Sequence, residues 1–134
     1  MENMTILKKY TVEYHVKSTP RLLYNYLHSP DGLDLWFAEK VTVKDNIYHF
    51  FWNGSEQQAK LIGKKENDFV RFKWLENDDD EECFFEFKIN IEPVTNDIAL
   101  LITDFADDSD IKSAKLLWDV NVSKLLRLMG SDQK

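Results

Sequence analysis

The stretch STPRLLYNYLHSPDGLDLWFAEKV, residues 18–41, carries a helix start, a helix stop and an aromatic pair in one short run. The Thr19 hydroxyl can accept from the free N–H groups of a first turn, and Pro20 suits that turn because no N–H is needed there. Leu23, Tyr24 and Leu27 then fall on one helical face. SPDG, residues 29–32, ends this helix. Residues 31–38 have room for one or two more turns that bury Leu33, Trp36 and Phe37.

The period changes on both sides of this run. Upstream, YTVEYHVK (residues 10–17) alternates, with Tyr10, Val12, Tyr14 and Val16 on one face, as a half-buried strand does. Downstream, KVTVKD (40–45) and NIYHFFW (46–52) read as strands with a tight turn at Asp45 and Asn46. NGS (53–55) signals a second hairpin. EQQAKLIGKK (56–65) pairs with DFVRFKWL (68–75). CFFEFKINIEPV (83–94) sets Cys83, Phe85, Phe87, Ile89 and Ile91 on one face, and IALLITDFA (98–106) closes the series. In NIYHFFW both faces are apolar, so alternation alone leaves open which one turns inward.

The last segment, residues 107–130, is a long helix with Asp107 to Asp110 at its positive end. Ile111, Ala114, Trp118, Val122, Leu125 and Met129 recur at helical spacing, and Gly130 suits a C-cap. A sheet of about seven strands needs cover for its apolar face, and this helix carries the only large apolar face available. The expected architecture is α+β: a curved antiparallel sheet wrapped around a long C-terminal helix, with two short helices after the first strand.

Length and composition set the outer limits. A chain of 134 residues is read as one domain, residues 1–134, large enough to hold its own core. The net charge is −7, yet the run ENDDDEE (76–82) supplies six carboxylates, leaving the rest of the chain near neutrality. Lys and Arg are scattered, so nucleic acid is not an expected partner. No apolar run reaches the roughly 20 residues of a membrane span. The lone cysteine, Cys83, precludes an intramolecular disulfide, and the first ten residues lack an apolar leader core. A cytoplasmic protein is expected. The chain itself leaves the oligomeric state open.

This order of elements resembles the helix-grip arrangement of the START-like superfamily, which includes polyketide cyclases, dehydrases and lipid-transport proteins. Thr19 and Pro20, the aromatic Tyr24, Pro30 and Gly32, and the pair Trp36 and Phe37 resemble the opening motif of homologues of the activator of heat-shock-protein-90 ATPase. LLWDVNVSKLLRLMG (116–130) resembles the closing helix. Two positions depart from that branch: Tyr24 replaces a common tryptophan, and the last helix opens on acidic residues.

The resemblance implies a cavity between the concave sheet face and the last helix. It would hold an apolar or amphipathic small molecule such as a lipid, without catalysis and without a cofactor. The candidate lining residues come in pairs: Trp36 and Phe37, Phe50 and Trp52, Phe72 and Trp74, Phe85 and Phe87, Leu117 and Trp118. The competing reading is that these rings fill the core. Buried tryptophan needs an acceptor for its N–H, so the four tryptophans point to a cavity mouth or water. Two alternatives stay open: a protein-interaction module, implied by the chaperone-activator resemblance, and a cyclase or dehydratase-type enzyme.

Catalysis would require at least two ionisable groups converging in the cavity. Asp104 is the leading polar candidate, since it follows an apolar run, although it also suits a strand end or a helix cap. His15, His28 and His49 share no ligand spacing with each other or with Cys83, so no metal site is expected. They read as surface residues, with His28 near helix-end carbonyls that favour a cation. Cys83 sits beside the acidic run, where a thiolate is disfavoured. That run lacks the spaced ligands and central glycine of a calcium loop.

Overall fold

The computed structural model describes residues 7–77 and 83–130. Residues 1–6, part of the leader reading, and 78–82, most of the acidic run, lie outside them. The elements are β1 (Leu7–Val16), α1 (Pro20–His28), α2 (Pro30–Leu33), β2 (Lys40–Lys44), β3 (Ile47–Trp52), β4 (Ser55–Lys65), β5 (Phe69–Trp74), β6 (Phe85–Ile91), β7 (Ile98–Asp107) and α3 (Ile111–Leu128). Short 3-10 turns at Leu75–Asn77 and Asp108–Asp110 follow β5 and precede α3. The seven strands form one antiparallel sheet in the order β1-β7-β6-β5-β4-β3-β2. Only the pairing of β1 with β7 is distant in sequence. It sets Tyr10 directly opposite Asp104.

Local chemistry explains the opening segment. Thr19 Oγ1 accepts from Leu22 N at 3.2 Å and Pro20 is the first helical residue. Ser29 then serves both short helices: its Oγ donates to the Asn25 carbonyl (2.7 Å) and accepts from Gly32 N (2.9 Å). Gly32 answers to space. A Cβ there would stand 2.4 Å from the Asn25 carbonyl oxygen and 2.7 Å from Tyr26 Cα, so only glycine lets α2 fold back onto α1. Trp36 Nε1 donates to the Tyr26 carbonyl (2.9 Å), tying the following turn to α1.

The hairpins match their turn chemistry. Asp45 and Asn46 both take positive φ (54° and 66°), as do Asn53 (48°) and Gly54 (81°). This is the backbone twist that a two-residue hairpin requires. Tyr48 and Phe50 turn inward and are buried, which settles the face of β3. Ile47 and Phe51 face outward, with Lys40 Nζ 5.9 Å from the Phe51 ring. Elsewhere the outer face sets charged groups over rings: Arg71 donates to Glu86 Oε2 through Nε (3.0 Å) and Nη2 (2.7 Å), and its guanidinium covers Phe84.

Two details differ from expectation. Ile91, expected inside with Phe85, Phe87 and Ile89, is 46 % exposed at the last position of β6, past the end of the β5 pairing. The acidic residues before α3 do not cap it directly. Asp107 accepts from Ser109 N (3.0 Å) and so caps the 3-10 turn, and α3 begins only at Ile111. Trp118, Val122 and Leu125 of α3 are buried against the sheet, and Gly130 ends the helix at φ 68°. No helix among the described residues is long and apolar enough to cross a membrane.

Candidate functional site

The concave sheet face and the first half of α3 line a cavity of about 470 Å³ that opens to solvent. Its aromatic wall is Phe37, Trp52, Trp74, Phe85 and Trp118. Ala114 explains why the space exists. It stands on the sheet-facing side of α3 one turn before Trp118, where a larger side chain would fill the gap. One and two helical turns beyond Trp118, Val122 and Leu125 are fully buried and close the core.

The expected lining residues divide into two layers. Phe37, Trp52, Trp74, Phe85, Leu117 and Trp118 border the cavity. Leu117 does so from the rim, being 63 % exposed. Trp36, Phe50, Phe72 and Phe87 form the packed layer behind, with essentially no solvent contact. Edge and stacked contacts join the layers: Phe37 to Phe87 at 5.8 Å, Phe72 to Phe85 at 5.0 Å and Phe50 to Trp74 at 5.8 Å. Strand alternation puts Phe50, Trp52, Phe72, Trp74, Phe85 and Phe87 on the concave face, and depth separates wall from filling. Three tryptophans find acceptors: Trp36 as above, Trp52 at the Phe37 carbonyl (2.9 Å) and Trp118 at the polar cluster described next.

Asp104 also borders the cavity. It faces inward, half-buried, and is neither a solvent-facing strand end nor a helix cap. Its Oδ2 accepts from Tyr10 Oη and from Trp118 Nε1, both at 3.3 Å, and its Oδ1 accepts from Phe105 N at 2.8 Å. Trp118 Nε1 also donates to Tyr10 Oη at 3.1 Å. Burial pushes the Asp104 carboxyl up to about 6, because the three neutral donors only partly replace its lost hydration. Burial, with the nearby Asp104 charge, likewise holds the Tyr10 phenol above its ordinary range.

Tyr10 was legible as an inward strand residue but not as a site residue. The signal lies in the β1–β7 register, which a single sequence does not display. Asn53, Gln57 and Asn121 complete the rim with neutral amides. The histidines stand apart from this site. His15 is exposed on β1, and His49 Nδ1 pairs with Glu56 Oε2 at 2.5 Å on the outer face of the sheet. His28 corrects an expectation: it stacks on Tyr24 (4.4 Å), and burial, aided by Lys64, lowers its pKa instead of favouring the cation. Among the described residues no cluster of His, Cys, Asp or Glu is placed to hold a metal.

Comparisons with known proteins agree with this architecture. A protein of Bacteroides fragilis, solved in solution, is 34% identical over 98% of this chain and 96% of its own, with a TM-score of 0.65. The Aha1 dimer of Colwellia psychrerythraea is 18% identical over 89% and 93%, with a TM-score of 0.74. CalU16 of Micromonospora echinospora is 11% identical over 98% and 86%, at 0.68. No curated protein matches the chain. The START-like superfamily domain matches residues 4–131, so the chain belongs to the START-like superfamily.

Proposed function

We propose that this protein binds a small apolar or amphipathic molecule in the cavity under α3, as a noncatalytic carrier or sensor. The observation that carries the reading is the cavity itself: about 470 Å³, walled by aromatic rings, with one polar cluster at its side. That is the size and chemistry of small-molecule sites generally. The single cysteine supports a reducing, cytoplasmic setting. Titrating a panel of fatty acids, sterols and naphthyl compounds against the tryptophan indole resonances tests it. Saturable binding is expected, with Kd in the range of about 1–100 μM. Ala114→Phe, which fills the cavity, should weaken it by roughly ten-fold or more. If nothing in the panel binds, or if Ala114→Phe binds equally well, the reading fails.

A second reading, proton transfer on the bound molecule, draws on one observation: two ionisable groups do converge at the cavity, Tyr10 and Asp104. A carboxyl held at about 6 suits a general acid or base near neutral pH, with Tyr10 and Trp118 orienting it. The expected result is Asp104-dependent deuterium exchange at the acidic C–H of a bound ketone. Exchange that survives in Asp104→Asn would sink this reading. A protein-interaction role has in its favour exposed apolar residues of α3 such as Leu116, Leu117 and Val120, and nothing in the structure shows what covers them.

A further inference from the structure

We infer that the molecule this cavity takes carries a protonated amine on its apolar body. The inference rests on the binding reading above and adds a chemical class to it. Asp104 is the only charged side chain among the described residues that border the cavity. The rest of the wall is aromatic, aliphatic or a neutral amide, with no Lys, Arg or His. Ring faces attract cations through their quadrupole, most strongly when water is excluded. Trp52, Trp74 and Trp118 border the same cavity as the one carboxylate, and Trp118 touches it, whereas Phe37 and Phe85 stack their faces on other rings.

The hydrogen bonding of Asp104 leaves room for a ligand donor. A carboxylate offers about four acceptor sites. Tyr10 and Trp118 share Oδ2 at 3.3 Å, the long end of the useful range, and Oδ1 takes only the Phe105 N–H. All three donors are neutral. Asp104 also borders a second cavity of about 280 Å³, and the titratable groups there, Glu76 and Cys83, bring no positive charge either. The raised carboxyl pKa agrees with a charge that lacks a counter-ion. An ammonium group supplies one. A neutral ligand leaves the carboxylate as it is, and an anionic ligand sets a second negative charge beside it at low dielectric.

Naphthylethylamine, naphthylethanol and naphthylacetate share one apolar body and differ in charge, so calorimetric titration of the three at about pH 7.5 tests the inference directly. The amine should bind about ten-fold or more tighter than the alcohol, and the carboxylate weakest of all. Asp104→Asn should bring the amine to the level of the alcohol and leave the alcohol within about three-fold. The wild-type protein gives an independent measurement. At about pH 4.5 Asp104 is mostly protonated while the amine stays charged, so the amine preference should shrink several-fold. Glu76, the other carboxyl near Asp104, borders only the second cavity. Equal binding of amine and alcohol, a tightest-binding carboxylate, or a preference that survives both tests overturns this inference and leaves the binding reading standing. If none of the three probes binds, this inference falls, and the fatty-acid and sterol titrations decide the binding reading.

Discussion

Replacing Phe37 with alanine lowers the stability of the fold by about 3–5 kcal/mol, a fall in Tm of roughly 10–20 °C for a domain of this size. The ring is the junction between the opening segment and the sheet. It stacks on Trp118 (5.7 Å) and Phe85 (5.7 Å) and meets Phe50 (5.0 Å), Trp52 (5.4 Å) and Phe87 (5.8 Å) edge-on. Deleting it removes a buried side chain and leaves its neighbours facing a void they cannot collapse into, because β3, β6 and α3 hold them from three sides. The same change enlarges the ligand cavity, since Phe37 is part of its wall. Chemical denaturation measures the effect, and Phe37→Leu should cost about half as much by retaining most of the buried volume. A loss below about 1 kcal/mol for Phe37→Ala would mean that this ring is not a structural junction.

Asp104→Asn should change how stability depends on pH, and the sign follows from burial. The folded carboxyl titrates at about 6 against an ordinary 3.8. Folding therefore favours the protonated form. Its contribution is complete below the ordinary value and is lost as pH rises through about 6, a difference of at most about 3 kcal/mol. Asparagine has one acceptor oxygen where the carboxylate has two. Either Phe105 N–H or the Tyr10 and Trp118 pair then loses its partner, at about 1 kcal/mol at every pH. The variant should be less stable than wild type at about pH 4, and by about pH 8 it should have gained about 2–3 kcal/mol relative to wild type. Urea denaturation of both proteins across this range is the measurement. A difference that stays flat, or grows in favour of wild type, would show that Asp104 is not buried as described. The gain expected at high pH has a functional corollary. A carboxylate kept at a cost to stability is a common mark of a site retained for binding.

Much of the architecture is legible in short stretches because short-range physics decides it. Thr19 and Pro20 start α1 wherever that segment lies, and Asp45 with Asn46 adopts positive φ because those residue types tolerate it. Period two in β1 and β6, and helical period in α3, identify faces without reference to partners. Period alone does not decide the inward face where both faces are apolar, as in β3, nor burial at a strand end, where Ile91 continues the pattern yet is exposed.

The site is another matter. Asp104 stood out by following an apolar run, but its partners are 94 and 14 residues away, and Trp118 reaches Tyr10 across 108 residues. The family resemblance named ten side chains as candidate cavity lining. It could not say that Phe50, Phe72, Phe87 and Trp36 fill the interior while Phe37, Trp52, Trp74 and Phe85 border open space.

The chain by itself determined the elements, their order and the inward face of most of them, since each follows from propensities and periodicities within about ten residues. The tertiary structure alone decided that an acid, a phenol and an indole meet at the edge of an unfilled space. That outcome depends on the β1–β7 register and on where Ala114 falls against the sheet. Both are set by packing between segments a hundred residues apart, and no local pattern encodes them.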